Sequence, residues 1–123
     1  MSTIDVLVVE DNDWLAGQYL RVLKAAGFSA RHVSNALAAI DLIDEVLPRV
    51  IVLDMLLAVT TGMALLHELR SHDDLAQLPV IVVTNLADEL KLEDLRPYGV
   101  TQLLDKTTMH PDDIATAVKR ELL

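Results

Sequence analysis

The chain of 123 residues contains no cysteine and far fewer basic than acidic side chains. Without cysteine, a disulfide framework and thiol chemistry are excluded. Ten basic residues stand against 19 acidic ones, and the formal net charge of −9 argues against direct binding to nucleic acid or to an anionic membrane. No apolar run approaches the roughly 18 residues that a membrane span requires, and the first residues do not resemble a signal peptide. We therefore expect a soluble, cytoplasmic protein.

What the chain does contain is a regular alternation of two kinds of apolar pattern. Hydrophobic residues make up 52% of the sequence, and the length suits one domain, so residues 1–123 are predicted to form a single domain. Short apolar runs predict strands at 4–9, 28–33, 50–53, 79–83 and 100–104. Amphipathic segments predict helices at about 14–26, 36–47, 62–72, 86–96 and from 111 to the end.

Alternating strands and helices predict a parallel sheet with helices on both faces. The first, third and fourth strands are apolar, as strands buried on both faces are, whereas the second alternates like an edge strand. We therefore expect a doubly wound, five-stranded sheet, and we apply to it the order 2-1-3-4-5 known for the (βα)5 flavodoxin-like arrangement. In the second helix Leu37 and Leu47 are expected to face inward. Trp14 in the first helix is expected to be partly buried.

Polar residues with complementary chemistry follow four of these strands. Glu10 and Asp11 follow the first, Asp54 the third, Thr84 the fourth and Lys106 the fifth. The carboxyl ends of parallel strands share one edge, and ligands bind there where the strand order reverses. Three converging carboxylates repel each other unless they hold a cation, and oxygen ligands suit Mg²⁺ or Mn²⁺. A lysine and a hydroxyl beside them would bind an anion carried on a carboxylate, which indicates phosphoryl chemistry on aspartate.

In this order and at these strand ends, the residues resemble the receiver domain of two-component response regulators over the whole chain. Gly62, eight residues after Asp54, belongs to the same pattern. The resemblance implies that Asp54 accepts a phosphoryl group from a sensor histidine kinase or a histidine phosphotransfer protein, with Thr84 and Lys106 contacting that group. It also implies Mg²⁺ held by Asp11, Asp54 and the backbone carbonyl of Leu56, with Glu10 acting through water.

The same resemblance implies a signalling domain rather than an enzyme. Its output would be a conformational shift of the surface formed by the fourth helix, the fifth strand and the fifth helix. That surface would contact a downstream protein and could also support a homodimer. The identity of the downstream protein is not encoded in any recognisable feature of the sequence.

Three departures from the family pattern motivate an alternative. Ala58 and Thr107 stand where the family usually has proline, and Leu103 stands where it usually has an aromatic residue. A degenerate receiver that acts by protein contact, without phosphorylation, therefore stays open. A more remote alternative is a small phosphohydrolase of the haloacid-dehalogenase type, whose Asp-x-Asp start matches 11–13. That interpretation requires a larger chain with a cap over the active site and a second acidic pair late in the sequence, and this chain has neither in an obvious place.

Overall fold

The computed structural model describes residues 2–55 and 62–123. Over these residues the strands are β1 (Ser2–Val9), β2 (Ala30–Val33), β3 (Val46–Leu53), β4 (Val80–Thr84) and β5 (Val100–Asp105). The helices are α1 (Asp13–Ala25), α2 (Ala36–Glu45), α3 (Gly62–Arg70), α4 (Leu92–Leu95) and α5 (Asp112–Leu122). Two 3₁₀ turns, Ala87–Glu89 and Arg96–Tyr98, flank α4.

All neighbouring strands pair in parallel, in the order β2-β1-β3-β4-β5. The predicted doubly wound, flavodoxin-like sheet is therefore confirmed. The chain moves outward from β1 to β2, then crosses back to place β3 on the other side of β1. This reversal puts the carboxyl ends of β1 and β3 next to each other, which is where such sheets bind ligands.

Two hydrophobic cores lie on opposite faces of the sheet, because successive strand residues point to opposite sides. Val6 and Val8 of β1 pack on the face covered by α1 and α5. Leu7 and Val9 pack on the other face, which is covered by α2, α3 and the short α4. Residues 6–9, 50–53 and 80–83 of the central strands are buried on both faces, which explains why they form continuous apolar runs instead of alternating ones.

The second helix ends earlier than predicted, and two of its expected inward residues are exposed. Helix α2 stops at Glu45, and β3 begins at the next residue, so that Pro48 lies within the strand, opposite Ile4. Leu37 is 65% exposed and Leu47 is 40% exposed. The buried stripe of α2 instead contains Ala36, Ala39, Leu42 and Ile43. Leu47 faces outward because the alternation of a strand, rather than the turn of a helix, sets its direction.

The predicted fourth helix is wrong as a continuous element. Leu90 is extended, with φ −116° and ψ 149°, and it separates the first 3₁₀ turn from α4. Leu90, Leu92 and Leu95 all pack against the core on that face. Offsets of two and then three residues cannot lie on one face of a single helix, so burial of all three breaks the segment.

Helix α1 begins at a side-chain cap and presents Trp14 to solvent. Asn12 is the cap, since its Oδ1 accepts a hydrogen bond from the backbone N–H of Leu15 at 3.0 Å. The buried positions of α1 are Ala16, Tyr19 and Leu23. Trp14 lies outside this stripe and is 70% exposed, so the expectation of partial burial is wrong. None of the helices in the described ranges is long and apolar enough to span a bilayer.

Candidate functional site

Backbone hydrogen bonds bring the polar strand ends together at one edge of the sheet. The N–H of Asp54 donates to the carbonyl of Val9 at 3.0 Å, which joins the end of β3 to the end of β1. The N–H of Lys106 donates to the carbonyl of Thr84 at 3.1 Å, which joins the end of β5 to the end of β4. The parallel register therefore gathers the side chains that sequence reasoning had placed at this edge.

A buried ammonium group bridges two buried carboxylates. Lys106 Nζ lies 2.5 Å from Glu10 Oε1 and 3.0 Å from Asp54 Oδ2. The side chains of Lys106, Glu10 and Asp54 are only 10%, 2% and 6% exposed. Buried charges are tolerated when they are paired and hydrogen-bonded. One positive charge between two negative ones leaves the cluster negative, so it favours a further cation.

Asp11 adds a third carboxylate, on the solvent side of the cluster. One oxygen each from Glu10, Asp11 and Asp54 lie within 4.8 Å of one another. Glu10 and Asp54 are buried whereas Asp11 is exposed, so the group is open to solvent through Asp11. Closely spaced carboxylate oxygens are the donors that a hard divalent ion such as Mg²⁺ prefers. The backbone carbonyl of Leu56, the remaining predicted ligand, lies outside the described residues.

Burial and charge pairing act in opposite directions on the two partners of the ion pair. Burial raises the pKa of Glu10 to about 7, and the negative charge of Asp54 adds to this rise while Lys106 opposes it. Burial also disfavours the charged form of Lys106, but its hydrogen bonds to Glu10 and Asp54 outweigh that effect and raise its pKa. Removal of either partner would therefore leave a poorly solvated charge.

Thr84 places its hydroxyl in the interior at the end of β4. The residue has no exposed surface, and its Oγ1 accepts a hydrogen bond from the N–H of Leu86 at 3.1 Å. A hydroxyl that accepts in this way keeps its own hydrogen for a second contact. The hydroxyl is therefore available to donate a bond while remaining connected to the segment that leads into α4.

The structure adds supporting residues that sequence reasoning missed. His32 Nε2 lies 2.6 Å from the backbone carbonyl of Glu10, so the ring nitrogen must donate. The N–H of Asn12 donates to Glu10 Oε2 at 3.2 Å, which holds the second carboxylate oxygen. Tyr19, buried in α1, lines a cavity of about 190 Å³ together with Lys106 and Met109. In the sequence, the only indication that His32 supports the site was its position near the end of a predicted strand, and many core residues share that feature.

Comparison with known proteins identifies the family of this chain. The family model described as response regulator receiver domain matches residues 6–119. The chain belongs to the response regulator receiver family. It is 31% identical over 111 residues to the polar-differentiation response regulator DivK of Brucella anthropi, a match that covers 90% of each chain.

Solved structures with the same architecture are also similar to this receiver domain. The signal receiver domain of a signal transduction histidine kinase from Syntrophus aciditrophicus is 28% identical, with a TM-score of 0.80, over 97% of this chain and 89% of that one. A sensor protein from Polaromonas sp. JS666 superimposes with a TM-score of 0.87 over 98% and 95% of the two chains. Its identity is 23%, so that similarity concerns the fold alone.

The departures from the receiver pattern take definite positions where they are described. Leu103 of β5 is partly buried and packs against the core on the α3 and α4 face, opposite Val82 in the sheet. The peptide bond between Lys106 and Thr107 is trans, as are the other peptide bonds in the described ranges. Ala58 lies outside those ranges. The position where the family usually has an aromatic residue is therefore occupied by an aliphatic side chain that packs against the core.

Gly62 allows the start of α3 to approach the end of β3 very closely. Its N–H donates to the carbonyl of Met55 at 3.1 Å. A Cβ at this position would lie 2.7 Å from Met55 Cα and 2.9 Å from the carbonyl oxygen of Asp54. Both of these atoms belong to backbone, which cannot rotate away as the end of a side chain can. Only glycine therefore fits beside the backbone that carries Asp54.

We expect Gly62→Ala to destabilise the protein by about 1–3 kcal/mol, the usual cost of inserting an atom into a closely packed region. Gly17→Ala is the matched control, because no atom lies within 4 Å of a Cβ at that exposed helical position. This second change should stabilise the protein by about 0.5–1 kcal/mol. Urea unfolding of the two variants measures both values, and equal stability changes would contradict the close approach at Gly62.

Proposed function

We propose that this receiver accepts a phosphoryl group on Asp54 from a phosphohistidine of a sensor histidine kinase or of a histidine phosphotransfer protein. The observation that carries the proposal is the buried Asp54 carboxylate, 3.0 Å from Lys106 Nζ and beside the carboxylates of Glu10 and Asp11. A merely structural aspartate would not need a buried lysine and two further acids. A cytoplasmic location would follow from contact with such a kinase.

The chemistry is a transfer between two nucleophiles. A carboxylate oxygen of Asp54 forms a bond to phosphorus while the nitrogen–phosphorus bond of the donor histidine breaks. The bonding electron pair stays with that nitrogen, which then takes a proton from solvent. Lys106 Nζ, 3.0 Å from Asp54 Oδ2, lies where it can pair with the phosphoryl oxygens. The hydroxyl of Thr84 would donate a hydrogen bond to another of these oxygens.

Glu10, Asp11 and Asp54, with the backbone carbonyl of Leu56, would hold the metal, and Glu10 would act through water. The fit rests on the donor set, since the carboxylate oxygens of the three acids lie within 4.8 Å of one another. A bound Mg²⁺ would supply positive charge to offset the negative charge of the phosphoryl oxygens. The chain itself orients Glu10, because Lys106, Asn12 and His32 fix its carboxylate and its backbone.

The signal would leave the site through Thr84. Its Oγ1 accepts from the N–H of Leu86, which immediately precedes the Ala87–Glu89 turn. A change in the position of the hydroxyl would therefore act on the segment leading to α4, and so on the surface of α4, β5 and α5. Leu103 lies within the aliphatic core, so this route does not require rotation of an aromatic ring. Contact with a downstream protein or a second copy at that surface remains a prediction.

Acetyl phosphate and beryllofluoride test the proposal, because each delivers a phosphoryl group or its mimic without a kinase. With Mg²⁺, we expect amide resonances of Asp54, Thr84, Leu86 and Lys106 to shift saturably, and the fluorescence of Trp14 to change. Trp14 is exposed and lies three residues after Asp11, so it can report on the acidic cluster. No response to either reagent would refute the proposal and favour a receiver that acts by protein contact alone.

Asp11→Asn is expected to weaken Mg²⁺ binding at least about tenfold, the lower range reported for changes around metal sites. The change removes a negative ligand but not a helix cap, because Asn12 caps α1. Metal-free stability should therefore rise slightly, by less than about 1 kcal/mol, since solvent screens the exposed Asp11. Mg²⁺ titration followed by amide spectra measures the affinity.

Asp13→Asn is the matched control for this change. Asp13 is the first residue of α1 and is exposed, two positions from Asp11, but it is not part of the carboxylate cluster. The Mg²⁺ affinity of the Asp13→Asn variant should equal that of the wild type. An equal loss of affinity in the two variants would mean that only the general negative charge of this region matters.

A further inference from the structure

A second polar cavity lies at the opposite edge of the sheet from Asp54. It has a volume of about 320 Å³ and lies where β4 and β5 begin, between the end of α3 and the Arg96–Tyr98 turn. Two arginines, Arg70 and Arg96, line it together with Gln77 and Thr101. Sites for small molecules commonly have volumes of about 300–1,000 Å³, so this cavity is large enough for one.

The two arginines do not form ion pairs within the described part of the chain. Neither guanidinium lies within 4.0 Å of a carboxylate there, although the protein has nearly twice as many acidic as basic residues. Arg70 is in the last turn of α3, where a positive charge complements the helix dipole. That role does not account for Arg96, which comes from a separate element and lines the same cavity.

A bulge in β5 places Thr101 at this cavity. Val80 pairs with Val100 and Ile81 pairs with Gln102, so Thr101 is an extra residue without a partner in β4. Bulges of this kind often redirect a side chain near a functional site. The Oγ1 of Thr101 is shielded from solvent and has no hydrogen-bond partner among the described residues. A buried hydroxyl without a partner costs free energy, so the bulge beside this cavity carries a cost in stability.

The wall that carries these groups is fixed by backbone contacts. Gly99 adopts φ +89° and turns the chain from Arg96–Tyr98 into β5. Its carbonyl accepts from the N–H of Val80 at 2.9 Å, and its own N–H donates to the carbonyl of Arg96 at 3.0 Å. The position of Arg96 is therefore tied to the start of the sheet. A preorganised site loses less entropy when a ligand binds.

We propose that this cavity binds a small molecule carrying a phosphate monoester. Guanidinium groups bind phosphate through paired hydrogen bonds, and a phosphate monoester offers several acceptor oxygens and a charge close to −2 at neutral pH. Two arginines and the side-chain amide of Gln77 match those acceptors. The site is separate from the phosphoacceptor, so a ligand can bind there while Asp54 is unphosphorylated.

Adenosine 5′-monophosphate, inorganic phosphate and adenosine are suitable probes, used with EDTA so that the acidic cluster holds no metal. We expect the monophosphate and inorganic phosphate to shift the amide resonances of Arg70, Gly99 and Thr101 saturably at millimolar concentration, whereas adenosine should not. The double change Arg70→Gln with Arg96→Gln should lower the affinity at least about tenfold. Arg31→Gln, an exposed arginine on the distant β2, should leave it unchanged.

Three results would overturn the site as a whole. The first is the absence of saturable shifts with both phosphate probes. The second is an equal loss of affinity in the Arg31→Gln control, which would indicate general attraction to positive charge. The third is binding of an aspartate-rich peptide at these residues without binding of either phosphate probe, which would assign the surface to a protein partner instead.

Discussion

Replacing Asp54 with asparagine is expected to abolish phosphoryl labelling by acetyl phosphate. The asparagine amide keeps the size of the side chain and an oxygen that can accept from Lys106, but it is not a nucleophile. The fold should persist, since the change removes one of two buried carboxylates around a single ammonium group. Asp54 raises the pKa of Glu10 in addition to the effect of burial, so its loss relieves repulsion. Metal-free stability should therefore be equal or higher.

Intact mass spectrometry after incubation with acetyl phosphate and Mg²⁺ measures the labelling, and peptide mapping locates it. The wild type should gain the mass of one phosphoryl group on the peptide that contains Asp54. Asp41→Asn, at an exposed position on α2, should be labelled like the wild type. Retained labelling of the Asp54→Asn variant, at any residue, would show that the acceptor has been assigned wrongly.

Replacing Lys106 with methionine is expected to cause the largest loss of stability. Methionine fills the space of the lysine stem but leaves Glu10 and Asp54 buried without their shared cation. Removing one partner of a buried ion pair costs about 3–5 kcal/mol. Lys119→Met changes an exposed lysine of α5 and should alter stability by no more than about 0.5 kcal/mol.

The loss of stability caused by Lys106→Met should depend on pH, and the ionisation of Glu10 determines whether it grows or shrinks as pH rises. Its pKa is 4.5 in the unfolded chain and about 7 in the folded protein, because burial disfavours the charged form. An acid whose folded pKa is raised destabilises the fold only where it must ionise, so the penalty is absent below pH 4.5 and complete above pH 7. Without Lys106 the folded pKa rises further. The defect of the variant should therefore be small near pH 4.5 and largest near about pH 8.

Urea unfolding in EDTA at these two pH values measures the effect, and a second change isolates its cause. Adding Glu10→Gln to the Lys106→Met variant removes one unpaired buried charge and should restore much of the stability at the higher pH. Mg²⁺ should also stabilise the Lys106→Met variant more than it stabilises the wild type, because it supplies the missing positive charge. A loss of stability that is independent of pH would mean that Lys106 contributes by packing alone.

Sequence reasoning placed the residues of the candidate site at one edge of the sheet because their positions depend on strand ends. Glu10, Asp54 and Lys106 directly follow a strand, and Thr84 ends one. In a parallel sheet the carboxyl ends of all strands necessarily lie at the same edge. Sequence reasoning failed where local patterns compete with packing. The segment at 86–96 is helical in pattern, but burial of Leu90, Leu92 and Leu95 breaks it.

Leu47 is a second position where the local apolar pattern gave a wrong prediction, here because a predicted helical residue belongs to a strand. It fits the apolar stripe of a longer α2, yet residues 46–53 pair with β1 and turn Leu47 outward. Pairing with another strand is a non-local choice, which the spacing of apolar residues along one segment cannot reveal. The roles of His32 and Asn12 were hidden for the same reason, since each depends on where Glu10 lies in space.

The sequence by itself determined the two-sided burial of the central strands and the set of side chains at the carboxyl edge, because hydrophobic periodicity and parallel topology fix both. The strand order came from the known arrangement of flavodoxin-like folds. Only the tertiary structure decided that Lys106 bridges Glu10 and Asp54, that Gly62 lies against the backbone of Asp54, and that Arg70 and Arg96 line one cavity. These are contacts between residues distant in sequence or on separate elements. They depend on interatomic distances, which apolar spacing does not encode.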